Sequence, residues 1–170
     1  MKTLTPKYLN RIASLPLDKV HWNTLTREYR LTEEFITQYC EFLNWKLLCR
    51  YQSMSTQCLT LHHERLAWIE VSINQHLSEK FMTQFCDKLY WPRICINQQL
   101  SEQFMHAHQD RLHWFFVSHY QKLTEEFITT HVAKLDLSTI EQRYPKIYKK
   151  YNLEMYKNLV PFDHLQHHCD

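Results

Sequence analysis

The chain has 170 residues, enough for one domain with a core, and it contains no glycine. That excludes phosphate-cradling loops, dinucleotide-binding turns and tight β-hairpins, which depend on positive φ. With 20 basic and 18 acidic residues the formal net charge is +2, which fits neither an acidic nucleic-acid mimic nor a strongly basic nucleic-acid protein.

Residues 1–30 read as a divergent N-terminal capping repeat. Thr5–Pro6 opens a helix with proline at its first position, where a missing N–H is harmless. Val20–His21–Trp22 opens a second helix, and extra residues fall near Ser14–Leu15–Pro16–Leu17.

Residues 31–145 hold five tandem copies of a unit that starts at Leu31, Met54, Leu77, Leu100 and Leu123. Trp22, Trp45, Trp68, Trp91 and Trp114 recur every 23 residues, and Leu137 takes the next place. Position 2 of the unit is Thr32, Ser55, Ser78, Ser101 or Thr124, each a helix N-cap. Glutamates such as Glu33, Glu79, Glu102 and Glu125 follow in the first turn and suit the helix dipole. Leu31 with Ile36, Leu77 with Met82, Leu100 with Met105 and Leu123 with Ile128 sit where a hydrophobic staple requires them.

Apolar positions 5, 6, 9 and 13 form one face of a first helix. A second helix starts near position 14, capped by Asn44 or Asp136 in two copies. Its inner stripe is Trp, an aliphatic residue, Cys or Ser, and Gln. Each helix is too short to stand alone, so stacking must bury the core. The expected fold is an all-α α-solenoid of stacked short helix pairs. Gln52, Gln75, Gln98 and Gln121 are expected to form an amide ladder between units; a ligand-facing polar row is the competing reading.

Residues 146–170 read as a C-terminal capping helix and tail. The helix is expected over 146–158, with Ile147, Tyr151 and Met155 or Leu153 packed and Lys146, Lys149, Lys150 and Lys157 in solvent. The last residues, 160–170, are expected to fray.

Several constellations invite chemistry. Position 9 carries Tyr39, His62, Phe85, His108 and His131, which fits packed imidazoles better than metal ligands. Position 10 holds Cys40, His63 and Cys86, stepped too far apart to share one metal. His164, His167, His168 and Cys169 have ligand chemistry in a terminal tail, but no metal site or cofactor is assigned. Cysteine in repeat-packing positions suits a reducing interior. No nucleophile, zinc-hydrolase or nucleotide-loop motif is present, so an enzyme is not expected.

The outer positions of the second helices break the amphipathic pattern. Leu47, Arg50, Tyr51, Ile69, Ile73, Arg93, Ile96, Phe115, Phe116, His119 and Tyr120 should face solvent. An apolar lining with arginines suits a protein-binding groove. Burial by solenoid curvature or by the next unit explains them equally well, and homodimerisation is a third reading.

The unit L-[ST]-E-x-F-[IM]-x(6)-L-x-W-x-x-[IVL]-x(3)-Q resembles a family of short tandem repeats in large DNA viruses, bacteriophages and some bacteria. The match covers 31–145 and, more loosely, 4–30. It departs at Thr56 and Cys58, and at Leu137 and Tyr144. The resemblance implies a viral or phage helical scaffold and transfers no catalytic residue or ligand. The expectation is a non-enzymatic module that binds and inhibits or redirects a host protein. A nucleic-acid scaffold using Lys146, Lys149, Lys150 and Lys157 is the alternative. No membrane span is legible, no signal-peptide core opens the chain, and a cytoplasmic location is expected.

Overall fold

The computed structural model describes residues 1–157, and for residues 6–8 the backbone alone. Among the described residues the fold is an all-α solenoid of helix pairs, with one pair of very short strands. The chain divides into two compact units, Met1–Gln98 and Gln99–Asp170.

The first unit opens with β1 (Lys2–Thr3), α1 (Pro6–Ser14), a 3-10 turn (Leu17–Lys19), α2 (Trp22–Glu28) and β2 (Tyr29–Arg30). β1 and β2 pair in parallel, Lys2 with Tyr29 and Thr3 with Arg30. The extra residues of the first repeat form the end of α1 and that 3-10 turn. Then come α3 (Glu33–Gln38), α4 (Trp45–Tyr51), α5 (Thr56–Leu61), α6 (Trp68–Asn74), α7 (Glu79–Gln84) and α8 (Trp91–Asn97). Within this unit α2 packs on α4, α4 on α6 and α6 on α8. The second unit holds α9 (Glu102–Ala107), α10 (Trp114–Tyr120), α11 (Glu125–Thr130), α12 (Leu137–Arg143) and α13 (Pro145–Lys150). In it α10 packs on α12, and α12 on α13.

Every first helix of the five copies starts at the expected hydroxyl. Thr32, Ser55, Ser78, Ser101 and Thr124 accept the backbone N–H three residues on, at 3.1–3.3 Å. The position-3 glutamates do more than complement a dipole. Glu33 accepts the backbone N–H of Ser55 at 2.6 Å and its hydroxyl at 2.9 Å, tying one repeat to the next helix start. In the second unit Glu102 holds Thr124 at the same two distances.

The second helices start at the tryptophan. Asn44 caps α4 by accepting the Leu47 N–H at 3.2 Å. Asp136 does not cap as expected; its carboxylate takes the Thr139 hydroxyl instead. Four of the indoles are aimed at the following repeat. Trp22 meets Tyr39 at 5.2 Å, Trp45 meets His62 at 4.9 Å, Trp68 meets Phe85 at 5.2 Å and Trp114 meets His131 at 5.1 Å between ring centroids. The Trp45, Trp91 and Trp114 N–H groups donate to carbonyls five residues back, in the turn that joins the two helices. The core below is aliphatic: Ile36, Leu48, Leu59, Val71, Met82 and Ile94 are fully buried.

Without glycine, these helices end by another device. Among the described residues only Asn152 has positive φ, at 48°. Gln52, Gln75, Gln98 and Gln121 are the C-cap residues of α4, α6, α8 and α10, each in extended backbone. Their amides form the expected ladder. Gln75 accepts the Met54 N–H at 3.1 Å and donates to the Cys49 and Gln52 carbonyls at 2.7 and 2.6 Å. Those carbonyls lie at the C-terminal end of α4, where helix geometry leaves acceptors unpaired. Gln52 does the same for Leu31, Thr26 and Tyr29. One side chain therefore closes the helix end that a left-handed glycine would otherwise close.

The last copy lacks that glutamine and splits its work. Tyr144 accepts the Leu123 N–H at 3.0 Å through its hydroxyl. Arg143 donates to the Ser118 and Gln121 carbonyls. Two adjacent side chains thus replace one amide.

The C-terminal helix differs from expectation. α13 stops at Lys150, and Asn152 turns left-handed before a 3-10 turn, Leu153–Tyr156. The break rotates the packed face: Tyr148 and Leu153 are buried, while Tyr151 and Met155 are exposed. The expected fraying of residues 160–170 lies outside the described residues.

Candidate functional site

The outer positions of the second helices are exposed or half-buried, despite their apolar character. In the first unit Tyr51 and Ile69 are 40% and 59% exposed, and Leu47, Ile73 and Ile96 are half-buried. Arg50 and Arg93 are exposed, and the Arg50 guanidinium lies 5.7 Å from the centre of the Tyr51 ring. None of these residues is fully covered by a neighbouring repeat.

In the second unit the corresponding residues share one helix, α10. Phe115 and Tyr120 are 40% and 55% exposed, and Phe116 and His119 are half-buried. They form a chain of ring contacts. Phe115 meets His119 at 4.1 Å and Phe116 at 5.6 Å, and Phe116 meets Tyr120 at 6.1 Å. His119 is held by the Phe115 carbonyl at 2.8 Å and the Thr139 hydroxyl at 3.0 Å. The Thr139 proton is committed to the Asp136 carboxylate, so this trio is a brace for the imidazole and not an activated hydroxyl.

The lysines proposed for nucleic acid are unequal. Lys146 and Lys149 are exposed. Lys150 pairs with Glu125 and Lys157 with Glu141 and Glu154. These bonds hold the Lys157 ammonium well above its ordinary pKa, with the Glu154 and Glu141 contacts the main cause. Half of the expected phosphate-binding cluster is already neutralised inside the fold.

The position-9 histidines are packing groups. His62 hydrogen-bonds the Thr37 hydroxyl at 3.2 Å, and the His131 ring packs tilted against Phe127 with 4.4 Å between centroids. Burial holds both imidazoles below the ordinary histidine pKa, helped at His62 by Arg65 and at His131 by His106 and Lys134. Among the described residues no three His, Cys, Asp or Glu side chains converge as a metal site. His164, His167, His168 and Cys169 lie outside those residues. Burial pushes the Cys49 and Cys58 thiols up to about 11, which makes them poor nucleophiles near neutrality.

A cavity of about 380 Å³ lies in the first repeat, lined by Arg11, Ile12, Leu15, Lys19, His21 and Leu25 among others. It brings cations beside apolar groups, with no carboxylate or thiol in its wall. Sequence reasoning did not find it, because it depends on the turn that follows α1. Among the described residues no helix is long and apolar enough to cross a membrane. No protein-family model, curated protein or solved structure matches this chain.

Proposed function

We propose that this protein is a non-enzymatic helical-repeat module that binds another protein through the outer faces of its second helices. The observation that carries the reading is the exposure of Tyr51, Ile69, Phe115 and Tyr120 at positions where a solvated helix would carry polar groups. The aromatic row on α10 adds the residue types that dominate protein interfaces. The repeat resemblance points to a viral or phage factor acting on a host protein. Cys40, Cys49, Cys58, Cys86 and Cys95 stand outside any disulfide, which favours an intracellular, cytoplasmic setting.

Affinity purification from the native host, compared with a tag-only control, is the direct test. Specific proteins retained by the wild type and lost by a folded Phe115→Asp/Phe116→Asp variant are the expected result. A wild type that retains nothing above control refutes the module reading, and a double variant that keeps every partner removes the α10 face. Binding to a second copy would register instead as a concentration-dependent dimer in sedimentation. The nucleic-acid alternative rests on Lys146 and Lys149, since Lys150 and Lys157 hold carboxylates. It requires a gel shift that strengthens as salt falls.

A further inference from the structure

We infer that the α4–α6–α8 face of the first unit seats an acidic amphipathic helix of a partner protein; the inference rests on the protein-binding reading above. These three helices lie side by side, α4 on α6 and α6 on α8. Their outward positions therefore form one continuous face. Along α6, Ile69 and Ile73 stand one turn apart, and Leu47 on α4 and Ile96 on α8 flank them. All four are exposed or half-buried.

Cations border this strip. Lys46, Arg50 and Arg93 are exposed, and among the described residues none has a carboxylate within ion-pair distance. Elsewhere in the same unit some cations are paired, as at Lys2 with Glu28 and Arg65 with Glu41, and others such as Arg27 and Arg30 are not, among the described residues; what sets Lys46, Arg50 and Arg93 apart is their place beside the apolar strip. Glu70 is the one acid on the outer positions of these helices, and its carboxylate is engaged by the Asn74 amide at 3.0 Å.

The chemistry of the occupant follows from three constraints. The face consists of helices whose backbone groups are already paired, so it offers no strand edge for an extended peptide to join. A ligand lying on it must satisfy its own backbone, and a helix does so. Tyr51, beside Arg50, is the one ring on the outer positions of these helices; isoleucine and leucine provide no further planes for base stacking, and phosphates laid over them would lose water without gaining partners. A second copy docked through the same face would set Lys46, Arg50 and Arg93 against their own equivalents, a like-charge arrangement. An apolar stripe at i, i+3, i+4 and i+7, flanked by Asp or Glu, meets all three.

A display selection of random helical peptides against the full-length chain tests this, with enriched peptides re-measured by fluorescence anisotropy. Enriched sequences should carry carboxylates beside that stripe. Their affinity should fall about tenfold or more with Arg50→Glu/Arg93→Glu, and by a similar factor between low and high salt. Ile73→Asp should weaken them too, with circular dichroism confirming the fold; the exposed arginine pair keeps the test decisive if Ile73→Asp unfolds. Phe115→Asp/Phe116→Asp should leave them unchanged. Neutral or basic winners, or binding lost only with the α10 variant, would overturn the inference and leave the protein-binding reading in place. An oligonucleotide that competes for the same arginines, a dimer abolished by Arg93→Glu, or no enriched peptide at all would also overturn it. The host pull-down reports on the broader reading separately.

Discussion

Replacing Gln75 by methionine keeps the size of the side chain and removes every hydrogen bond it makes. Three buried backbone groups lose their partner: the Met54 N–H and the Cys49 and Gln52 carbonyls. Gln75 is 4% exposed, so bulk water does not reach these groups without local opening. An orphaned buried polar group costs about 1–3 kcal/mol. Three of them, with partial relaxation and some water entry, give a loss of about 3–5 kcal/mol. That is a large share of the about 5–15 kcal/mol that holds a typical domain together. Urea unfolding followed by far-UV circular dichroism measures the loss, with exposed Asn74→Ala as control. Amide exchange locates it: the Met54 N–H should lose protection first. A loss under about 1 kcal/mol, or an unchanged Met54 amide, would refute the claim that the ladder supplies helix ends that glycine does not.

The divided replacement in the last repeat makes its own prediction. Arg143→Ala should cost about 1–3 kcal/mol by stranding the Ser118 and Gln121 carbonyls, and Tyr144→Phe about 1–2 kcal/mol by stranding the Leu123 N–H, both read from urea midpoints. Thr56→Glu should raise stability by about 0.5–1 kcal/mol, because it offers Ser78 the two-point carboxylate contact that Glu33 gives Ser55; an unchanged or lower midpoint would count against that contact as a repeat-to-repeat tie. His62 and His131 have folded pKa values below the unfolded one, so the unfolded chain takes up protons first as acid is added. Their contribution is complete above the unfolded histidine pKa and is lost as pH falls through it toward the folded values. His62→Phe/His131→Phe, which installs the residue found at Phe85, should flatten the stability profile over that window. A profile as steep as the wild type's would show that other groups carry the acid sensitivity.

Much of the fold follows from local chemistry that a single strand of sequence displays. The N-cap hydroxyls at Thr32, Ser55, Ser78, Ser101 and Thr124 act within three residues of themselves, so spacing alone locates the helix starts. The recurring tryptophan sets the register of the second helices for the same reason, and the amide ladder is legible because four glutamines recur in one column. What the tertiary structure decided involves partners 16 to 25 residues away. The Glu33–Ser55 tie, the sharing of one glutamine's work between Arg143 and Tyr144, and the pairing of Lys157 with Glu141 all lie in that range. The turn at Asn152, which leaves Tyr148 and Leu153 buried, was likewise not legible in the helical periodicity of 146–158. The candidate face is the same kind of case. Sequence marked Ile69 and Ile73 as misplaced on their own helix, with Arg50 and Arg93 among their neighbours on the outer positions. Only stacking could decide that the next repeat leaves them uncovered, because burial is set by the neighbour's position and not by the residue's own period.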